Sequence, residues 1–299
     1  MEDKNLLFIA NPTAGQKKIV GNMTQIVQIF CAAGYIPTVL TTRYAGHATE
    51  LAKKYAGEFD LVVCAGGDGT LNETLAGLRT GGHDKPVGYL PCGTTNDLST
   101  TLGLSTSLIQ AAEDVVNGRE ILLDLGSFNG RPFAYTASFG AFTNVSYETP
   151  QAFKNVLGHL AYLITGAGEV LKLKPISARI TTDAGDFEGE FLFGSVNNST
   201  SLAGILTIDR GLVQLDDGKH ELLLVDMPKN AIELGRLLIN LTQKRFEDGL
   251  HLLSVSRFSM DTEQPLDWTL DGEQEKGENH FEIVNLPRAA RIIVPREAN

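Results

Sequence analysis

One short stretch most constrains what this chain can fold into, because an apolar run passes directly into a cluster of glycines. Residues 61–65 read Leu-Val-Val-Cys-Ala, and Gly66-Gly67-Asp68-Gly69-Thr70 follow at once. Leucines at 71, 75 and 78 then recur at helical spacing. The pattern predicts a buried parallel strand, a tight glycine turn and a helix that begins near Thr70.

A glycine turn at the start of a helix suits an anionic ligand such as phosphate. The first N–H groups of the helix point toward the ligand, and the helix dipole favours negative charge there. Asp68 is the exception, because its carboxylate repels phosphate unless a cation bridges the two. Since Asn72 occupies the third glycine position of a dinucleotide fingerprint, and no Walker A lysine follows, neither standard motif applies. The stretch predicts a metal-bound nucleotide site, and an ordinary turn between a strand and a helix is the alternative.

Strand-like and helix-like segments alternate over the first 118 or so residues, which predicts a doubly wound parallel sheet. Polar turns rich in glycine, threonine and asparagine follow four of the strands. They are residues 11–15, 41–42, 66–70 and 93–97. Because parallel strands present their carboxyl ends at one edge of the sheet, these turns are expected to converge on one ligand. Their convergence favours a nucleotide site over a turn that serves geometry alone.

The spacing of apolar residues changes after about residue 122, which predicts a second domain over residues 123–287. Strand-like segments, divided by turn signals, are residues 176–182, 187–193, 221–225, 252–260 and 266–270. Two helical segments, 153–167 and 231–246, interrupt them. The second domain is therefore predicted to be a mainly antiparallel sandwich or curled sheet, with a cleft between it and the first domain.

Composition and charge argue against several classes of protein. The 299 residues carry a net charge of −11, which argues against a nucleic-acid binder. No apolar run approaches the length of a membrane span, and the charged N-terminus does not resemble a secretory signal. The three cysteines lack any paired spacing and are predicted to be reduced thiols in the core. We expect a cytoplasmic protein, with membrane contact only through a local basic surface.

Two acidic turns in the second half could carry chemistry. Asp271-Gly272-Glu273 suits a general base with an acidic companion, or a cation site. Asp216-Asp217-Gly218 could bind a hard cation with the help of nearby backbone carbonyls. In both turns the alternative is a tight turn with solvated acids, because Asp-Gly is a frequent turn dipeptide.

Four motifs in this order resemble the diacylglycerol kinase catalytic-domain family, and above all its soluble bacterial members. The motifs are residues 11–15, 66–73, 91–97 and 271–273, and residues 145–150 and 215–218 add to the likeness. The resemblance implies ATP-dependent phosphorylation of a lipid hydroxyl at the inner membrane surface, diacylglycerol to phosphatidic acid. It also implies a final strand, about residues 288–299, that returns to the nucleotide-binding domain at 1–122, which makes 123–287 a lipid-substrate domain.

The resemblance further implies roles for individual residues. The expected nucleotide contacts are Asn11, Pro12, Thr13, Ala14, Gly15, Thr42, Gly66, Gly67, Asp68, Gly69, Thr70, Leu71, Asn72 and Thr94. Glu273 corresponds to the proton acceptor, Asp271 to its acidic companion, and Asp68 to a residue near the catalytic Mg²⁺. Gln214, Asp217 and Lys219 correspond to a structural Mg²⁺ site, in which Asp217 gives its side chain and the other two their carbonyls.

One departure from the family keeps other functions open. The family usually continues after Asn96-Asp97 with an aromatic residue, a small residue and an arginine, whereas this chain has Leu98-Ser99-Thr100. The alternatives are a kinase for another lipid alcohol, such as phosphatidylglycerol, a sphingoid base or a polyprenol, and a nucleotide-sensing protein with weak catalysis. An edge strand in the second half could also pair two subunits as a homodimer.

Overall fold

The structure, a computed structural model, describes residues 4–93, 96–140, 174–202, 206–207 and 213–296. The chain divides into two compact units: unit 1 is Met1–Leu125 with Pro287–Asn299, and unit 2 is Gly126–Leu286. The assignment of 1–122 with 288–299 to nucleotide binding, and of 123–287 to the lipid substrate, stays a prediction. Each unit is described by itself below.

Unit 1 contains a parallel sheet. Its first four strands are β1 (Lys4–Ala10), β2 (Tyr35–Thr41), β3 (Leu61–Gly66) and β4 (Pro86–Pro91). They lie in the order β2-β1-β3-β4, and every neighbouring pair is parallel. The end of the last strand of the chain adds a fifth member, because Arg291 and Ile292 pair in parallel with Pro86 and Val87.

The described residues of unit 1 form five helices. They are α1 (Lys18–Ala32), α2 (His47–Tyr55), α3 (Asp68–Gly81), α4 (Asp97–Leu102) and α5 (Leu108–Asn117), and short 3-10 turns cover Ala14–Lys17 and Ala56–Glu58. Two details differ from the sequence prediction. Helix α3 begins at Asp68 rather than near Thr70, and α4 was not predicted because it is short and mostly polar.

The helices of unit 1 pack on both faces of the parallel sheet. Alternate strand residues, such as Leu6 and Phe8, join the buried side chains of α1 and α5 in one core cluster. Phe8 meets Phe30 edge to face, with ring centroids 5.7 Å apart. On the other face, the buried side chains of Val62 and Cys64 lie outside this cluster, and α3 packs against β3. This is the doubly wound arrangement, and it brings the carboxyl ends of all the strands to one edge.

Cysteine burial departs in one case from the prediction. All three cysteines are free, but only Cys64 and Cys92 are buried, and Cys31 is exposed near the end of α1. The helical pattern placed Phe30 in the core, and the next position along a helix turns away from it.

The described residues of unit 2 form mainly strands. After β5 (Arg119–Phe128), which begins in unit 1, they are β6 (Arg131–Phe133), β7 (Thr136–Gly140), β8 (Ile176–Thr182), β9 (Asp186–Asn197), β10 (Ser201–Leu202), β11 (Leu206–Thr207), β12 (His220–Asp226), β13 (Leu250–Val255), β14 (Arg257–Leu270) and β15 (Glu273–Val294). The described helix of this unit is α6 (Ala231–Gln243), and the predicted helix at 153–167 lies outside the described residues.

The unit 2 strands pair antiparallel, as predicted. Strands β13, β12, β9, β7, β14 and β15 follow one another, while β8 pairs with both β9 and β14. Since the described strands longer than two residues join one hydrogen-bonded sheet, the sandwich arrangement stays a prediction. The predicted single strand over 252–260 is wrong: it is divided at Ser256, whose N–H and hydroxyl both bind the Asp183 carboxylate.

The core of unit 2 is built around Trp268, the one tryptophan of the sequence. Its ring lies 4.7 Å from that of Phe139 and 5.0 Å from that of Phe128, centroid to centroid. Phe281 and Phe258 complete the aromatic cluster. This core supports the hairpin between β14 and β15, two residues beyond the tryptophan. Among the described helices of the chain, none is both long and apolar enough to cross a membrane.

Candidate active site

Three glycine turns of unit 1 meet at the carboxyl edge of its sheet. Gly15 lies so close to the turn after β4 that an added Cβ would be 1.8 Å from the Cys92 carbonyl oxygen. A Cβ on Gly93 would be 2.8 Å from the Cα of Gly67. The turns after β1, β3 and β4 therefore approach one another through the backbone at these glycines, and a Cβ at Gly15 or Gly93 would force them apart. The convergence predicted from the sequence is confirmed for these three turns.

Hydrogen bonds hold the turns together. The Asn11 N–H donates to the Ala65 carbonyl at 2.8 Å, and the Cys92 N–H donates to the Gly66 carbonyl at 2.7 Å. The Asn11 side-chain amide also donates to the Thr70 hydroxyl at 3.3 Å. Because adjacent turns bond directly, the edge is a rigid surface of backbone, as a phosphate site requires.

The first turn of α3 is bonded back to the glycine turn that precedes it. Asp68 lies in its first turn, while the Thr70 and Leu71 N–H groups bond back to the Gly67 carbonyl. The side chains of Thr70, Leu71 and Asn72 are buried. Contacts at these three positions would therefore come from the backbone or from neighbouring residues. Thr94 lies outside the described residues.

Glu73 fixes the turn that follows β2, and the sequence reasoning did not assign it a role. Its two carboxylate oxygens accept the Gly46 N–H at 2.7 Å and the Ala48 N–H at 3.0 Å, at the start of α2. A carboxylate there satisfies N–H groups that have no partner within the helix. The Thr42 N–H donates to the Ala10 carbonyl at 2.9 Å, so this turn also starts beside β1.

Asn96 shapes the turn after β4. Its backbone is left-handed, with φ of 47°, and its side-chain amide donates to the Gly93 carbonyl at 2.7 Å. The buried Tyr89 hydroxyl donates to the Asn96 side-chain oxygen at 3.3 Å. Asparagine tolerates the left-handed region better than most residues, which explains its use here. Thr100, at the position where the family usually has arginine, is exposed on α4.

The acidic pair of unit 2 sits on a two-residue hairpin. Leu270 pairs with Glu273, and Asp271 and Gly272 between them have φ of 49° and 88°. Two left-handed residues in a row define the type I′ turn that joins antiparallel strands. The alternative expectation of a tight turn at this Asp-Gly dipeptide is therefore confirmed for the backbone.

Asp271 is not solvated, however. It is buried, and one carboxylate oxygen accepts the Ala134 N–H at 2.6 Å, while the other accepts the N–H groups of Tyr135 and Thr136, both at 3.0 Å. Burial raises the pKa of Asp271 to about 6, against the lowering effect of these three donors; the Glu273 charge adds to the rise. Both oxygens are thus committed to holding residues 134–136.

Glu273 is the accessible member of the pair. Its side chain is 43% exposed and forms an ion pair with Arg131 on β6, with a nitrogen-to-oxygen distance of 3.0 Å. Arg131 also pairs with Glu275. An arginine fork that holds two carboxylates limits the positions that Glu273 can adopt. Arg131 belongs to none of the motifs, so its ion pair with Glu273 could not be predicted from the sequence.

The predicted metal residues lie on the turn before β12. The side chains of Gln214, Asp217 and Lys219 are exposed, and the Lys219 N–H donates to an Asp217 carboxylate oxygen at 3.0 Å. A search of the described residues finds no cluster of three His, Cys, Asp or Glu side chains able to hold a metal. A site made mainly of backbone carbonyls would not form such a cluster.

A buried carboxyl group close to this turn supports the fit of a cation. Glu221, on β12, is 6% exposed, and its Oε2 atom has no hydrogen-bond partner among the described residues. Burial and the charge of Asp217 raise the pKa of Glu221 to about 8, with a smaller opposing effect from its own N–H group. Mg²⁺ prefers oxygen ligands of the kind that this turn offers.

Comparisons with known proteins agree with the fold and these motifs. A family model described as the diacylglycerol kinase catalytic domain matches residues 5–128. A diacylglycerol kinase of Bacillus subtilis (strain 168) is 33% identical over 300 residues, covering 98% of this chain and 97% of that protein. A diacylglycerol kinase of Staphylococcus saprophyticus is 29% identical over 297 residues, covering 98% and 96%.

A crystal structure of a diacylglycerol kinase from Bacillus anthracis str. Sterne has the same fold, with a TM-score of 0.74 over 98% of each chain at 24% identity. The matched domain and the relatives that match over nearly the whole chain define a kinase of the lipid-kinase class. The chain belongs to the diacylglycerol kinase family. The resemblance carried by the four motifs is confirmed.

Asp271→Ala should destabilise the protein, because three buried N–H groups would lose their acceptor. We expect the free energy of unfolding to fall by about 3 kcal/mol or more, at roughly 1 kcal/mol or more per unsatisfied group. Urea titrations followed by Trp268 fluorescence would measure it. Glu273→Ala is the matched control and should change the value by less than about 1 kcal/mol, since an exposed ion pair contributes little.

The pH dependence of folding stability provides a second test of the Asp271→Ala variant. The pKa of Asp271, raised to about 6, lies above the unfolded value near 4, so between these pH values the folded state keeps a proton that the unfolded state loses. Wild-type stability should therefore fall as the pH rises from about 4 to about 6 through this group. Asp271→Ala should lack that component, and an identical pH profile would contradict the assignment.

Proposed function

We propose that the protein is an ATP-dependent diacylglycerol kinase, which transfers the γ-phosphate of ATP to the hydroxyl of diacylglycerol to give phosphatidic acid. The observation that carries the proposal is the contact of three glycine turns at the carboxyl edge of the parallel sheet. Membership of the diacylglycerol kinase family and the exposed carboxylate of Glu273 support it.

ATP would bind by its phosphates to the backbone of these turns. Gly67 and Gly69 carry no Cβ that would keep an anion from the start of α3, where the helix dipole favours negative charge. Two nucleotide-contacting turns, after β1 and β2, would be held by Asn11 and Glu73. The proposed nucleotide-binding residues remain Asn11, Pro12, Thr13, Ala14, Gly15, Thr42, Gly66, Gly67, Asp68, Gly69, Thr70, Leu71, Asn72 and Thr94.

Glu273 would accept the proton of the lipid hydroxyl. As that proton leaves, the hydroxyl oxygen forms a bond to the γ-phosphorus, the bond from phosphorus to the β–γ bridging oxygen breaks, and ADP departs. Phosphoryl transfer depends mainly on positioning and on neutralising charge, so the base must be held in place rather than be strong. Arg131 would provide that restraint through its ion pair with Glu273.

Asp271 would act as a positioning residue. Because both of its oxygens accept N–H groups from residues 134–136, it fixes the hairpin from which Glu273 projects. Asp68, in the first turn of α3, would lie near the catalytic Mg²⁺, which neutralises charge on the phosphates when bound. A structural Mg²⁺ would be held by the carboxylate of Asp217 and the carbonyls of Gln214 and Lys219.

A catalytically weak, nucleotide-sensing protein is the second candidate. Thr100 favours it, because the family usually has arginine there and threonine lacks a charge for a phosphate. That candidate predicts ATP binding without phosphate transfer. Kinases for phosphatidylglycerol, a sphingoid base or a polyprenol share the proposed chemistry and differ in the lipid alone.

Glu273→Gln should remove the proton acceptor and keep the shape of the site. We expect kcat for diacylglycerol phosphorylation, measured with labelled ATP and mixed micelles, to fall about 100- to 10,000-fold, as for loss of a general base. The ATP dissociation constant, from calorimetry, should stay within about twofold, because ATP is proposed to contact unit 1. Unchanged kcat would refute the role of Glu273, and wild-type protein that binds ATP without turnover would favour the sensing candidate.

We also propose that the protein binds peripherally to the membrane surface that holds its lipid, through the outer face of α6. Ile232 and Ile239, about two helical turns apart, are 69% and 53% exposed there, and Arg236 is exposed between them. Lys244 and Arg245 follow the end of the helix. The acidic Glu247 and Asp248 lie just beyond and offset this positive charge. Partial insertion of the isoleucines would therefore contribute more of the binding free energy than charge does.

Replacing both isoleucines by serine should weaken membrane binding. At about 1 kcal/mol for each half-inserted side chain, or about 2 kcal/mol for both, sedimentation with phosphatidylglycerol-containing vesicles should show an affinity about 30-fold lower. Val20→Ser, on the exposed side of α1, is the matched control and should bind as wild type does. Unchanged vesicle binding by the double variant would refute this surface, and a smaller mass in solution would assign it to a second copy of the chain.

A further inference from the structure

Glu221 is a buried acidic side chain that the proposed chemistry does not use. It lies on β12 between β9 and β13, and 6% of it is exposed. The backbone carbonyl of Glu221 accepts a hydrogen bond from the Asn197 side-chain amide at 3.3 Å. The Oε2 atom of the Glu221 side chain, in contrast, has no hydrogen-bond partner among the described residues. A buried polar atom without a partner costs free energy, so such an atom calls for an explanation.

Strand geometry shows which way this side chain points. Leu222 and Leu224 belong to the core cluster around Trp268, whereas Leu223 and Val225 belong to a second cluster on the opposite face. Since successive side chains alternate between faces, Glu221 points to the face of Leu223 and Val225. That second cluster also contains Val213, the neighbour of Gln214.

The turn at residues 214–219 therefore lies along the face toward which Glu221 points. Leu215 packs against the second cluster, and the Lys219 N–H fixes the Asp217 carboxylate at 3.0 Å. After burial, the negative charge of Asp217 is the second cause that raises the pKa of Glu221. A buried, unpaired carboxylate on the same face as a second carboxylate is unfavourable unless it is protonated or a cation lies between the two.

We propose that Glu221 is a further ligand, directly or through one water, of the divalent cation proposed at Gln214, Asp217 and Lys219. The inference rests on that part of the proposed function and not on the lipid substrate. Oxygen donors from carboxylates and carbonyls form the ligand set that Mg²⁺ prefers. The cation would join β12 to the turn that precedes it.

Calorimetric titration of the chelator-stripped protein with Mg²⁺, at pH 8 and without nucleotide, tests the proposal. Glu221→Gln should weaken Mg²⁺ binding about tenfold or more, as loss of a metal's supporting carboxylate does, and Asp217→Asn should do the same. The rise in the unfolding temperature caused by Mg²⁺ should shrink in both variants. Glu263→Gln removes an exposed carboxylate from β14 and should leave Mg²⁺ binding unchanged.

Each outcome decides one point. If Asp217→Asn weakens binding and Glu221→Gln does not, Glu221 is a neutral buried acid and the inference is wrong, although the turn still binds the cation. Wild-type protein that takes up no Mg²⁺ would overturn both the turn site and the inference. A wrong lipid-kinase proposal would instead appear in phosphate transfer, which this titration does not measure.

Discussion

The approach of Gly15 to Cys92 and of Gly67 to Gly93 is the constraint on which the rest of unit 1 depends. These turns touch through backbone atoms, and the bond from the Cys92 N–H to the Gly66 carbonyl locks two of them. A Cβ at Gly15 or Gly93 would separate strands whose register is otherwise set by a buried core. The proposed phosphate site lies at this same contact, so one packing requirement would also shape nucleotide binding.

In unit 2, burial decides what each carboxylate does. Asp271 and Glu273 flank one glycine, yet Asp271 is buried under three N–H donors, whereas Glu273 is exposed beside Arg131. The hairpin geometry produces this difference, since one acid lies within the turn and the other begins the next strand. The proposed division of labour, in which Asp271 fixes the hairpin and Glu273 accepts the proton, follows from it.

The sequence predicts what depends on local pattern. Strand β3, the helix after it and the glycine turns follow from periodicity and residue type, and the antiparallel second half follows from the change of period. Non-local contacts are not predictable in this way. The donors to Asp271 come from residues 134–136, Glu73 bonds to Gly46, and the break at Ser256 depends on Asp183. Such partners are far apart in the chain, so only the fold reveals them.

The central claim is tested most directly by asking which lipid the protein labels. Wild-type protein, γ-labelled ATP and Mg²⁺ would be incubated with micelles of diacylglycerol, phosphatidylglycerol, a sphingoid base or a polyprenol, and with water-soluble alcohols. The account predicts label in phosphatidic acid, formed from diacylglycerol in preference to the other acceptors. Label confined to another lipid or to a soluble alcohol, or ATP binding with no transfer to any acceptor, would contradict it.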